Sequence, residues 1–230
     1  MEPTANPSRL LLTAIYSARF GRIALPMSHT LHTEDAACAL TVTATQSANE
    51  TLRLEYSILN RTAEPLYLCN LFWRDSRVNP TTRKEEFEVS RNDAYLKIEN
   101  NHLRVALSTI SAAISDGTGI RFTPLLTRVE PGQQFTSSLA LPLPLVPYLK
   151  ADNVAPAGVP ISMSLYFEVG YFLGNFTTEK QISPVTTAEG TAYQIAPFLA
   201  SNQQLIAAGP FGEPVAVAPW LGKDITRPWD

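Results

Sequence analysis

Apolar and polar positions alternate along several short stretches of the chain, as in strands that are buried on one face. The alternation is clearest from Thr51 to Ile58, where leucine, tyrosine and isoleucine occupy every second position. After the polar residues 60–65, residues 66–73 are almost wholly apolar, which indicates a strand buried on both faces. We therefore predict an antiparallel hairpin over residues 51–73, with its second strand near the centre of a sheet.

Further stretches of the chain predict more strands and one helix. Residues 38–45 and 161–172 alternate, and the second of these is apolar on both faces. Pro131-Gly132 fits the centre of a type II turn, followed by a strand at 135–141. We also predict a strand at 177–183, and residues 198–207 have the spacing of a short helix. Eighteen prolines and eleven glycines divide the chain at short intervals, which favours many short strands.

Three of these features together resemble immunoglobulin-like β-sandwich domains: the alternation at 51–58, the polar turn that contains Pro65, and the Pro131-Gly132 turn before Phe135. The resemblance covers about residues 38–172. It implies an all-β, antiparallel, immunoglobulin-like β-sandwich with elaborated loops, to which the helical spacing adds one short C-terminal helix. The chain departs from antibody domains because it has no Cys-Trp-Cys arrangement, and the fold implies no particular function.

The ends of the chain differ from its middle. We predict a leader at 1–35, a single β-sandwich domain at 36–218 and a tail at 219–230. The leader is expected to be disordered, or to lie upstream of a true start at Met27. In the alternative, the short apolar run that begins at Leu10 is the core of a signal peptide. A cytoplasmic location is favoured, and export stays open if that segment is a signal.

Composition and charge reduce the number of functional classes. The chain has 230 residues, of which 45% are hydrophobic and 17% charged, enough to build a buried core. Its formal net charge is −3 and its cations are scattered, which argues against a nucleic-acid partner. No apolar run is long enough for a membrane-spanning helix. Cys38 and Cys69 lie in apolar surroundings, so we expect buried free thiols in preference to a disulfide.

Residues that carry chemistry form no recognisable catalytic or metal-binding pattern. The three histidines, His29, His32 and His102, have neither zinc-like spacing nor a nucleophile motif beside them. Acidic residues between Asp75 and Asp93 alternate with arginine and lysine, which is typical of a solvated rim. We therefore predict a protein that is not an enzyme and binds neither a metal nor a cofactor.

Aromatic residues provide the best candidates for a binding surface. The second strong strand and its surroundings carry more aromatic side chains than one buried face needs, although burial is the stronger alternative. The candidate partner-binding residues are Tyr166, Phe172, Phe176, Trp73 and Arg74. We expect a protein-protein interaction module, an adaptor, inhibitor or assembly component. The alternative is a small-ligand or carbohydrate binder at the loop ends near 73–80, and an enzyme with an unrecognised site is third.

Overall fold

The computed structural model describes residues 27–47, 50–113, 119–147, 160–196 and 202–218. Almost all of their regular structure is β-strand, as the alternation predicts. The predicted leader up to residue 26, the tail at 219–230 and most of the predicted loop at 150–160 lie outside the described residues. The strands are β1 (Met27–Glu34), β2 (Cys38–Ser47), β3 (Thr51–Asn60), β4 (Leu66–Val78), β5 (Glu85–Ser90), β6 (Tyr95–Glu99), β7 (His102–Leu107), β8 (Ile110–Ala113), β9 (Gly119–Phe122), β10 (Leu125–Val129), β11 (Gln134–Pro142), β12 (Ile161–Leu173), β13 (Ile182–Thr187), β14 (Gly190–Ile195), β15 (Gln204–Ala208) and β16 (Val215–Val217).

The first sheet has four antiparallel strands in the order β1-β2-β3-β11. Alternation positions its side chains: Leu52, Leu54, Tyr56 and Ile58 of β3 are buried, and the residues between them are exposed or half-buried. These side chains pack against the second sheet and form the larger core of the molecule. The half-buried strand that the sequence predicts here is confirmed.

The second sheet is larger, and part of it closes on itself. Its order is β10-β14-β13-β5-β4-β12-β7-β6, and β15 and β16 also pair with β12. Because β10 pairs with β4 as well as with β14, the strands β4, β5, β13, β14 and β10 form a closed five-stranded barrel. Most pairs are antiparallel, but β12–β7 and β13–β5 are parallel. The sequence did not predict this barrel.

Strand β4 is the wall that the two cores share. Leu66, Leu68 and Phe72 face the larger core, whereas Tyr67 and Cys69 face the interior of the barrel. Burial on both faces explains why residues 66–72 contain a single polar residue, Asn70, and no polar alternation like that of a half-buried strand. The prediction of a strand buried on both faces is confirmed.

The predicted hairpin over residues 51–73 is wrong, because β3 and β4 belong to different sheets. Residues 60–65 cross from one sheet to the other, and Asn60 holds the crossing in place. Its side-chain nitrogen donates to the carbonyl oxygens of Glu64 at 2.8 Å and Val129 at 3.0 Å. Its side-chain oxygen accepts from the backbone and hydroxyl of Thr62. Turn-forming residues indicate a change of direction, but they do not determine which strand pairs with which.

Three further expectations need correction. Residues 204–207 of the predicted helix at 198–207 belong to β15, because pairing with β12 satisfies their backbone groups. Part of the predicted strand at 177–183 is instead the helix α1 (Phe176–Glu179), which Asn175 caps through hydrogen bonds from two backbone amides. Residues 27–34 of the predicted leader form β1, paired along its whole length with β2.

The two cysteines lie in separate cores. Cys38 is in the larger core and Cys69 is in the barrel, and both thiols are free and buried. The prediction of buried free thiols is confirmed. Within the described residues, no helix has the length and apolar character needed to cross a membrane.

Candidate functional site

The five candidate residues do not form one surface. Phe172 is only 1% exposed and packs in the barrel core, so its proposed role as a contact residue is wrong. At the C-terminal end of β12, the even-numbered face that carries Phe172 is covered by the barrel. Trp73 is half-buried, because its ring packs edge-to-face on Phe87 at 5.4 Å between centroids and its nitrogen donates to the carbonyl oxygen of Thr123.

Tyr166 lies in a cluster of charged side chains on β6, β7 and β12. Its ring centroid is 5.0 Å from that of His102 and 5.6 Å from the guanidinium carbon of Arg104. Arg104 donates to the buried carboxylate of Glu168 at 2.9 Å, and Lys97 lies 3.7 Å from the other oxygen of that carboxylate. Two cations therefore compensate one buried anion, which explains how β12 accommodates a glutamate. This cluster was not predicted from the sequence, although Glu168 is the only charged residue of β12.

Phe176 is exposed, with 76% of its surface accessible. It is the first residue of α1, and the ammonium nitrogen of Lys180 lies 3.8 Å from its ring centroid. A cation over one face of the ring leaves the other face and the ring edge accessible. Phe176 lies ten residues after Tyr166 in the sequence, but no described contact joins the two.

Arg74 extends from β4 beside the turn that precedes β6. It makes a two-point hydrogen bond to Asp93, at 2.9 and 2.8 Å. These hydrogen bonds, together with the charge of the carboxylate, raise the pKa of Arg74. The two charges neutralise each other, so the pair adds no net charge to its surroundings.

A groove of about 350 Å³ lies beside this pair, between an edge of each sheet. Among the described strands, β11 ends the first sheet and β6 ends the main path of the second. The groove is therefore the open side of the sandwich, where no strand connects the sheets. Apart from Arg74 and Asp93 its lining is uncharged: Asn92, Ala94, Leu96, Ala140, Leu141, Pro142, Pro144, Leu145 and Val146.

The free edge of β11 presents unused backbone groups. The amide of Asn60 donates to the carbonyl oxygen of Gln133, and the amide of Leu143 donates to the carbonyl oxygen of Glu50. Because every second residue of an antiparallel strand bonds to the same neighbour, the odd-numbered residues of β11 point their backbone groups toward β3. Even-numbered residues must point away from it. The amide of Ala140 confirms this direction, because it donates to the side-chain oxygen of Asn92 at 3.0 Å.

Two even-numbered residues form the centre of this edge. Thr136 is exposed and Ser138 is half-buried. No strand among the described residues pairs with this edge, and β11 contains no charged side chain from Gln134 to Pro142. Proteins usually protect such an edge with lysine, a bulge or a covering segment. The lack of charge is visible in the sequence, but the position of β11 at an edge is not.

A second cavity, of about 180 Å³, lies on the barrel. It is lined by Asp75, Ser76, Arg77, Glu86, Phe87, Glu88 and Ala188. Asp75 stands opposite Glu88 across the β4–β5 pair, and Arg77 stands opposite Glu86. The described residues contain no group of three or more histidine, cysteine or acidic side chains arranged to hold a metal. The cavity lies within the stretch 73–80 where the sequence placed the alternative small-ligand site, but its lining residues 75–77 belong to β4 and not to a loop.

Tyr171 and Cys38 are two further titratable groups of the larger core. Tyr171 donates its hydroxyl proton to Asp35 at 2.8 Å and lies 2.9 Å from the side-chain oxygen of Gln204. Burial, and then the nearby charge of Asp35, raise the pKa of Cys38 to about 12. A thiol with so high a pKa is protonated at neutral pH, whereas the thiolate is the nucleophilic form, so Cys38 is not an activated nucleophile.

Comparison of the chain with protein-family models, curated proteins and solved structures finds no match.

Proposed function

We propose that this protein is a non-enzymatic protein-protein interaction module that binds an extended segment of its partner along β11. The observation that carries the proposal is the outward direction of the Thr136 and Ser138 backbone groups at an uncharged sheet edge. An added strand would bond to these groups, and its alternate side chains would face the groove. Such a contact suits an adaptor, an inhibitor or an assembly component.

Strand connectivity supports an immunoglobulin-like interpretation of the sandwich, and with it this binding mode. In that fold the strands A, B, E and D form one sheet, and C, F and G form the other. Here β2, β3 and β11 correspond to A, B and E. The strands β4, β12 and β15 correspond to C, F and G, because β12 pairs with both others antiparallel. The position of strand D, beside E, is where the partner segment would add.

Selection from a displayed peptide library tests this proposal. The wild-type chain is expected to enrich peptides with alternating apolar and polar residues, as added strands require. The variant Ser138→Pro removes one outward amide without removing a bond to β3, so it should fold and lose these peptides. Ser138→Ala keeps the amide and serves as the matched control. Equal binding of the selected peptides to Ser138→Pro and Ser138→Ala would overturn the proposal.

The barrel cavity supports a second candidate function, a small-ligand or carbohydrate site. Asp75 and Glu88 lie directly opposite each other, an arrangement of like charges that costs stability and that a hydrogen-bond donor would relieve. Titration calorimetry with a panel of neutral and amino sugars tests this candidate. Saturable binding that Glu88→Gln weakens would support it, and no heat with any member of the panel would count against it. Catalysis at an unrecognised site is the third hypothesis and ranks last, because the described residues show no arrangement of a nucleophile with a general base.

A further inference from the structure

The amide of Ala140 is the one outward donor of the β11 edge that a described side chain already occupies. The side-chain oxygen of Asn92 accepts from it at 3.0 Å, and Asn92 is 48 residues away along the chain. Asn92 is exposed and lies in the turn between β5 and β6, on the second sheet. A side chain from the opposite sheet therefore takes the place that the carbonyl of a neighbouring strand would take.

The position of this contact divides the edge into two parts. Gln134, Thr136 and Ser138 direct their amides outward before Ala140, and Pro142 after it has no amide to donate. An added strand therefore pairs freely with the first part. It can continue past Ser138 only if it displaces the Asn92 side chain.

We propose that Asn92 is a built-in competitor for the strand-addition site, which ends the pairing of the partner segment at Ser138 and directs its next residue into the groove. This inference rests on the proposed function of β11. The groove lies at that end of the strand, since Ala140, Leu141 and Pro142 line it together with Asn92.

The groove also defines the chemistry of the partner segment. Its charged residues, Arg74 and Asp93, are bonded to each other, so neither offers an unpaired charge to an incoming side chain. Leu96, Leu141 and Leu145 provide an apolar wall. A charged side chain would lose its hydration here without gaining a partner, whereas an apolar side chain would gain contact. The partner is accordingly an extended protein segment whose residue after the paired stretch is large and apolar.

Substitution of Asn92 tests the competition. The probe is a synthetic peptide with the sequence of β3, TLRLEYSILN, which alternates in the required way. Asn92→Ala frees the Ala140 amide, so the peptide should bind about threefold to tenfold more tightly than to wild type. Asn92→Asp keeps an acceptor oxygen and should bind no more tightly than wild type. A peptide of the same sequence with N-methylated amides controls for binding that does not use the backbone.

Hydrogen exchange at individual amides separates failure of this inference from failure of the proposed function. In the free protein the Ala140 amide should exchange slowly in wild type and rapidly in Asn92→Ala, and the peptide should slow it again in the variant. Protection of Thr136 and Ser138 by the peptide, with equal affinity for wild type and Asn92→Ala, would overturn the competitor and leave strand addition intact. Binding of the peptide without protection of Thr136 and Ser138 in either protein would overturn both.

Discussion

The two edges of the first sheet differ in composition and in cover. The edge strand β1 carries His29, His32 and Glu34, all exposed, and β15 packs against it. Arg61 also forms an ion pair with Glu34 at 2.7 Å. The opposite edge, β11, has no charge and no strand beside it among the described residues. Charge and cover are the ordinary protection of a sheet edge, so among the described residues β1 has this protection and β11 lacks it.

The largest expected effect comes from moving a proline by one position on the open edge. Ser137 bonds to Tyr56 of β3, so Ser137→Pro should remove a buried ladder bond and reduce the free energy of unfolding by about 3 kcal/mol or more. Ser138→Pro should change it by no more than about 1 kcal/mol, because that amide points outward. Chemical denaturation of both variants measures this. Similar losses of stability at the two positions would show that the amide of Ser138 does not point away from β3.

On the covered edge, removal of a hydroxyl should cost stability without affecting binding. Tyr171 bonds to Asp35 at the end of β1 and lies against Gln204 of β15. Tyr171→Phe removes the hydroxyl that bonds to Asp35, so the polar groups around it lose one hydrogen-bond partner. This loss should reduce the free energy of unfolding by about 1–3 kcal/mol. Tyr193→Phe, at a half-buried tyrosine of the barrel, is the control. Peptide affinity at β11 should match that of wild type, and a loss of affinity would mean that the two edges are not independent.

A charged side chain on β11, like those on β1, should weaken the binding of an added strand. Thr136→Lys places a cation on the exposed face of β11, and the backbone bonds between β11 and β3 are unchanged. We expect several-fold weaker binding of the β3-sequence peptide and no change in the unfolding midpoint. Thr191→Lys, on the exposed part of β14, adds the same charge elsewhere and should leave the affinity at the wild-type value. Weakening by both variants alike would point to net charge as the cause.

At neutral pH the smallest effect comes from the thiol of Cys38, which lies in the larger core. Burial raises its pKa from 9.0 to about 12, so the native protein holds this proton more tightly than the unfolded chain does. Its contribution to stability is therefore complete below pH 9 and is lost as the pH rises toward 12. Denaturation at several pH values across this window measures the slope for wild type and for Cys38→Ala. The variant should lose stability less steeply, and an equal slope would contradict the assignment.

The sequence predicts the strands better than their partners. Leu52, Leu54, Tyr56 and Ile58 reveal a half-buried strand through their spacing, which follows from local geometry. The pairing of β3 with β11 depends on contacts between distant segments, so the local pattern predicted a hairpin in its place. The barrel was not predicted for the same reason, because it closes through the pairing of two distant segments, β10 and β14.

The candidate site shows the same limit. The sequence named Arg74 as a candidate contact residue, and the structure places it beside a groove, but it assigned Phe172 to a surface that the barrel covers. Asn92 carried no distinguishing pattern, since a turn asparagine is common and its bond to Ala140 joins different sheets. The uncharged composition of residues 134–142 was the one visible sign of the open edge.

Amide hydrogen exchange along β11 in the free protein tests the central claim most directly. The alternation predicts rapid exchange at Thr136 and Ser138, and slow exchange at Ser137 and Leu139, which donate to β3. The selected peptides should then slow Thr136 and Ser138 specifically. Slow exchange at all four amides of the free protein would show that the edge is already paired, and would contradict the account.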